Sequence, residues 1–221
     1  MATFETQVEG LTGLEIESSN STPTQAELQQ FLRDGVIAVI NKLSQINPDE
    51  LWKFSTTTHD DSSGITITGR ILSVVREHDS TEILRPCTYI STQDRYLATD
   101  PTSLKYRSKY NPGYYIKDKK AFAVPAQGPN DNDLIVTQVH YDETITHASD
   151  DMQHFPREYI PLVVYYAAII SLEAKMAEYT ITEEDTELVQ SIASSIISLQ
   201  NSYESGFQVV RQQPQESEDE S

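Results

Sequence analysis

The sequence predicts an α+β fold, a helical bundle of three main helices with an inserted, mostly antiparallel β region. Three observations carry this. Apolar residues recur at three- and four-residue steps near both ends of the chain. Between them, from about 65 to 141, apolar and polar residues alternate. After that comes a run at 160–172, IPLVVYYAAIISL, in which nine of thirteen residues are large apolar or tyrosine and point all round a helix. Thirteen residues fall short of the roughly eighteen needed to cross a bilayer, so the run reads as a buried core helix. A helix apolar on every side must be covered on every side, and this reading expects part of the cover to come from another subunit.

Composition bounds the rest. At 221 residues the chain holds one domain of ordinary core size, or one carrying a sizeable insertion. The 34 acidic and 16 basic residues leave a net charge of −18, which opposes non-specific binding to nucleic acid or to an anionic membrane. The charge is uneven, because residues 70–120 hold ten basic and six acidic side chains while the remainder sums to −22. Cys87 is the single cysteine, so no internal disulfide forms and a reducing compartment is expected. MATFETQVEG has neither a basic start nor an apolar core, so synthesis and retention in a cytoplasm are expected.

Residues 1–21 have only scattered apolar positions and are expected to form an extended arm. The first predicted helix starts at Thr22 or Thr24, with Pro23 in its first turn and Thr24 and Glu27 as a capping box. Leu28, Leu32, Val36, Val39, Leu43 and Ile46 make its stripe, and Asn47-Pro48 stops it. Gly35 either marks close packing against a neighbouring helix or weakens this one. From 49 to 143 the period is that of strands. Ile65, Ile67 and Ile71 alternate, Leu72, Val74 and Val75 continue the run, and Gly69 suggests a bulge. Further strands are predicted at 113–117, 120–125 and 134–141, joined by a tight Asp118-Lys119 turn and a looser GPNDND at 128–133. A short helix is predicted near 91–97. The last helix is expected to be capped by Thr182, with Glu183, Glu184 and Asp185 at the positive end of its dipole. Its stripe is Leu188, Ile192, Ile196, Leu199 and Tyr203; Gly206 is read as a left-handed stop, with Phe207 folding back. The division is thus an arm at 1–21, a bundle at 22–48 and 155–206, a β-rich insertion at 49–143, and a tail at 207–221 that is acidic at its end.

Chemical motifs are sparse. No phosphate-binding glycine loop, CxxC pair, HExxH or nucleophile elbow occurs, which argues against a familiar enzyme. His140, His147 and His154 recur every seven residues among Asp142, Asp150 and Asp151, a ligand set suited to zinc or another divalent ion. That spacing aligns side chains only on a helix, and the intervening residues lack a helical stripe, so a polar loop is the simpler reading. Glu183 and Glu184 resemble a catalytic pair, but a helix first turn accounts for them. Tyrosine supplies twelve of nineteen aromatics. Tyr89, Tyr96, Tyr106, Tyr110, Tyr114 and Tyr115 interleave with Arg95, Lys105, Arg107 and Lys109, a mixture that can stack on bases and is favoured at protein interfaces. The whole-chain charge favours protein over DNA.

Several segments together resemble small virion proteins of tailed bacteriophages, the head-to-tail connector or adaptor (neck) subunits that form a ring beneath the portal. They are GRILSVVRE at 69–77, RPC at 85–87, QDR at 93–95, FPREYIPLVVYYAAIISLEAKMAEY at 155–179 and EEDTELV at 183–189. The likeness spans about residues 24 to 206 and rests on packing patterns; the sheet-like insertion departs from the smallest adaptors. It implies a structural, non-enzymatic protein without cofactor, made in the host cytoplasm and residing in the virion. It also implies a homo-oligomeric ring of about twelve copies that contacts portal and tail proteins, lets DNA pass unbound and touches no membrane. The interface is then expected at Leu162, Tyr165, Tyr166 and Ile169, at Arg95, Tyr106, Arg107, Tyr110 and Tyr114, and at Phe207, Val209 and Val210. Two other functions stay open: a tail-completion or tail-tube protein of the same kind of particle, and a metal-dependent enzyme built on the three histidines.

Overall fold

The structure, a computed structural model, describes residues 2–60, 63–78, 83–126, 134–182 and 186–211. The α+β class holds, with helices and two four-stranded sheets. The chain divides into a helical unit, Met1–Lys53 with Asp142–Ser221, and a β unit, Phe54–Tyr141.

The helical unit is built around α4, which spans Ile160–Thr182 and packs against α1 (Phe4–Thr12), α2 (Gln25–Ile46) and α5 (Thr186–Arg211). In α2 the capping box is formed as expected: Glu27 N–H donates to Thr24 Oγ1 and Thr24 N–H to Glu27 Oε2 at 2.7 Å. Pro23 lies one residue before the cap, outside the first turn. Leu28, Leu32, Val36, Val39 and Leu43 are buried. Gly35 lies where α2 meets α4. A Cβ there would sit 3.1 Å from Val163 Cγ1 and 3.2 Å from Tyr166 Cδ1, so the glycine lets the two helices close.

The extended arm is corrected. Residues 4–12 form α1, capped by Thr3 and ended by Gly13 at φ 68°, whose N–H donates to Glu9 O. Phe4 and Val8 are fully buried. Phe4 N–H donates to Ser149 O at 2.8 Å and Glu5 N–H to His147 O at 3.0 Å. The carboxylate of Glu5 lies 2.5 Å from His147 Nδ1 and accepts from Gln25 Nε2 at 3.0 Å. Two apolar side chains one turn apart suffice to seat a short helix, yet give too little periodicity to read.

With α1 in place, one copy covers more of the central helix than expected. Val163, Ala167 and Ala168 are buried; among 160–172 Pro161 is exposed and Ile160, Tyr165, Tyr166 and Ile170 keep partial exposure. The helix also runs ten residues beyond 172, so that Ile160–Thr180 is by length and composition long enough to cross a membrane. Thr182 closes α4 instead of capping the last helix; Glu183, Glu184 and Asp185 lie outside the described residues. Gly206 does not stop α5, which continues to Arg211, so the tail cannot begin at 207. Leu162 fills the space beside it: a Cβ on Gly206 would sit 2.3 Å from Leu162 Cδ2. Pro48–Phe54 forms a 3-10 turn. In it Glu50 is bound by Lys53 Nζ at 2.7 Å and by the Tyr159 hydroxyl, which donates at 2.8 Å.

In the β unit the strands are β1 (Ser55–Asp60), β2 (Ile65–Thr66), β3 (Ile71–His78), β4 (Ile83–Pro86), β5 (Thr88–Tyr89), β6 (Gly113–Lys117), β7 (Lys120–Val124) and β8 (Leu134–Val139). They form two four-stranded sheets ordered β1-β8-β3-β4 and β2-β7-β6-β5. All pairs are antiparallel except β5 with β6. Ile65 and Ala121 from one sheet and Val74 and Val136 from the other share a core. Asp118 and Lys119 are both left-handed, at φ 52° and 59°, as a two-residue hairpin turn requires. The expected turn at 128–133 lies outside the described residues. The irregularity placed at Gly69 falls between Ile71 and Ser73; Gly69 instead allows close approach, since a Cβ would lie 2.0 Å from Val139 O. Buried Gln138 accepts from Thr68 N and Gly69 N and donates to Thr66 O. The unit closes where it opens: His140 N–H donates to Phe54 O at 2.8 Å, and Ser55 faces Val139 across β1 and β8.

Candidate functional site

The candidate site is the part of the β unit from β4 to β6. It contains α3 (Arg95–Thr99) and a long loop at 100–112. Local bonds fix the loop. Asp100 Oδ1 accepts from Thr102 N and Oγ1 at 2.9 and 2.7 Å, Arg107 N–H donates to Ala98 O, and Ser108 bridges Asn111. Lys105 reaches Asp94 at 3.0 Å and holds that carboxyl below its usual range, while the Thr102 backbone N–H does the same for Asp100.

On this scaffold Ile90 and Ala98 turn inward against Val124, while several large apolar groups face outward. Leu104 is fully exposed, Tyr96 and Tyr110 are 68% and 62% exposed, and Leu97, Tyr89 and Tyr106 are exposed as well. Cations sit against the rings. The Arg95 guanidinium lies 4.5 Å from the Tyr96 ring centroid and donates to its hydroxyl, a bond that lowers the phenol pKa. Arg85 is 5.6 Å from the Tyr110 centroid, Lys109 is 5.4 Å from the same ring, and Tyr89 meets Tyr114 edge-on at 5.5 Å. Residues 83–120 carry eight basic and three acidic side chains. Ordered aromatic and aliphatic groups flanked by cations are the makings of a contact surface.

Of the expected interface residues, Arg95, Tyr106, Arg107, Tyr110 and Tyr114 all lie in this region. Leu162, Ile169 and Phe207 are a correction, because all three are buried within the helical unit. Tyr165 and Tyr166 are half-buried, and the side chains of Val209 and Val210 lie outside the described residues. Leu104 was missed. Its signal was a lone leucine in the polar run TDPTSLKYRSKY, without a periodic partner.

The metal alternative fares differently. Among the described residues no group of three or more His, Cys, Asp or Glu is placed to hold an ion. His147 is taken up by Glu5, and the Asp142 carboxylate by Thr144 and by Gln153 N–H. Burial pushes the Cys87 thiol up to about 12, so it is protonated at neutral pH and a poor nucleophile. No family model matches the chain, and no curated protein matches it.

Proposed function

We propose that the chain is a structural virion protein, a subunit of a ring that connects the portal of a tailed-phage head to the tail. The observation that carries this reading is the exposed tyrosine, leucine and cation surface between β4 and β6. It has the composition of a protein contact, and among the described residues no group of His, Cys, Asp and Glu is placed to hold a metal ion. The bundle of three main helices that the resemblance implies corresponds to α2, α4 and α5. The buried α4 does not itself argue for partners; the β unit supplies the surface. The helical unit holds 24 acidic and six basic residues and accounts for the whole net charge of −18. Turned towards a channel, such a surface lets DNA slide past without phosphate contacts.

The test is the mass of the intact protein, alone and mixed with the portal protein of its particle, by native mass spectrometry. A closed assembly of about twelve copies, alone or on the portal, is expected. A strict monomer that ignores the portal overturns the reading.

A further inference from the structure

We infer that the arginine and tyrosine surface between β4 and β6 receives an acidic peptide, the C-terminal run 212–221 of a neighbouring copy. This rests on the ring reading and names what the surface contacts. Among the described residues, three of its cations have partners that are not carboxylates. The Arg85 guanidinium lies 5.6 Å from the Tyr110 ring centroid, and its Nε is buried without a hydrogen-bond partner. Arg107 donates to Asn111 Oδ1 at 3.2 Å. Arg95 donates to the Tyr96 hydroxyl and lies 5.8 Å from the Tyr115 centroid. A guanidinium has five donors in a planar fork, so each of the three keeps donors to offer a carboxylate. Lys105 differs, because Asp94 holds it at 3.0 Å.

One stretch of chain gathers the three. Arg85 meets Tyr110, Arg107 holds the next residue, Asn111, and the Arg107 N–H donates at 2.9 Å to Ala98 O in α3, the helix that Arg95 begins. Tyr89, Tyr96, Leu97, Leu104 and Tyr106 are exposed around them, and rings beside arginine forks suit an extended acidic peptide. The matching anions are in the same sequence. Residues 212–221, QQPQESEDES, carry Glu216, Glu218, Asp219 and Glu220 and no base, and they follow the last residue of α5, Arg211. Ten residues reach at most about 36 Å. Every copy thus carries both halves of a heterologous contact, which repeats from copy to copy round a ring. Within a ring, tethering raises the effective concentration of the peptide to about the millimolar range.

The test uses two full-length variants, each checked for folding by circular dichroism. One has a neutral terminus, with Glu216→Gln, Glu218→Gln, Asp219→Asn and Glu220→Gln. The other has a neutral face, with Arg85→Gln, Arg95→Gln and Arg107→Gln. The probe is a fluorescein-labelled peptide QQPQESEDES, followed by anisotropy at low ionic strength. The neutral-terminus chain is expected to bind it and to release it in about 1 M salt; the neutral-face chain is expected to bind at least about tenfold more weakly. Arg95→Gln alone, on a side chain that packs against exposed Tyr96, is expected to weaken binding without changing the melting temperature. A carbodiimide that joins carboxylates to lysines should link 212–221 to 105–120 in an equal mixture of the two variants and in neither alone. Links that form in wild type but not in the mixture mean that each run folds onto its own copy, and they overturn the neighbour. A short DNA duplex that binds the neutral-terminus chain more tightly than the peptide makes the face a nucleic-acid site and overturns the proposal. If wild type forms a ring and both variants bind the peptide equally, this contact is wrong and the ring reading survives. If wild type stays monomeric both alone and with portal, the ring reading itself fails and takes the neighbour with it.

Discussion

Truncating Phe4 to alanine probes the seating of α1, on which the cover of α4 depends. The ring is fully buried, and removing a buried phenylalanine costs about 3–5 kcal/mol where the surroundings cannot collapse. A terminal helix has another recourse, which is to leave its seat. The loss is then limited to what holds α1 down: buried Phe4 and Val8, at about 1.5–3 kcal/mol each, and the bonds of Phe4 N–H and of Glu5 to Ser149, His147 and Gln25, less the entropy of ordering the segment. The lower end is therefore expected, about 3 kcal/mol. For a chain of this size each kcal/mol moves the melting temperature by about 2–4 °C, giving a fall of about 6–12 °C. Thermal unfolding followed by circular dichroism reads the shift, and amide exchange over residues 4–12 reads whether α1 opens. A melting temperature unchanged within about a degree, with residues 4–12 exchanging as fast in wild type as in the variant, would refute the docking of α1.

Three other outcomes are expected. Gly69→Ala forces Val139 O away from a position 2.0 Å from the new carbon and endangers the Val139 N–H bond to Arg70 O; a loss of about 3 kcal/mol is expected in urea unfolding, and one under about 1 kcal/mol would count against the close approach. Cys87, with its thiol pushed up to about 12, should react with iodoacetamide at pH 8 at least about a hundredfold more slowly folded than denatured, as mass spectrometry would show. Tyr159→Phe removes the 2.8 Å bond to Glu50 and should cost about 1–2 kcal/mol at neutral pH. Burial pushes the Glu50 carboxyl up, but the bonds from Lys53 and Tyr159 and the charge of Lys53 outweigh it and hold it below its ordinary value. A depressed folded pKa means stability present above the unfolded value and lost as pH falls through the folded one. The gap between wild type and Tyr159→Phe should therefore narrow on acidification below the ordinary glutamate range, and a gap that does not change with pH would contradict this.

What could be read in the sequence was local or strongly periodic. The Thr24–Glu27 box and the stripe of α2 depend on residues a turn apart, and both are found. The hairpin at Asp118-Lys119 was legible because so few turns join strands in two residues. Three strands left no trace: β1, STTTHD, has no apolar residue, while β4 and β5 are too short to alternate. Gly206 misled because a glycine near a helix end usually closes it, whereas here the side chain of Leu162, far away in sequence, occupies the space. The expectation of exposure at Leu162 and Ile169 failed for a related reason. Hydrophobicity alone cannot distinguish Leu162 and Ile169, which α4 buries, from Leu104, which the loop leaves outside.

The backbone bond from His140 to Phe54 gives the β unit the geometry of a removable cassette. Its incoming and outgoing strands run side by side, with paired Cα atoms only about 5 Å apart, so a tight turn in place of residues 54–141 could bridge the same gap. A lineage could exchange what this module touches in one recombination step and leave the scaffold of α1, α2, α4 and α5 unaltered.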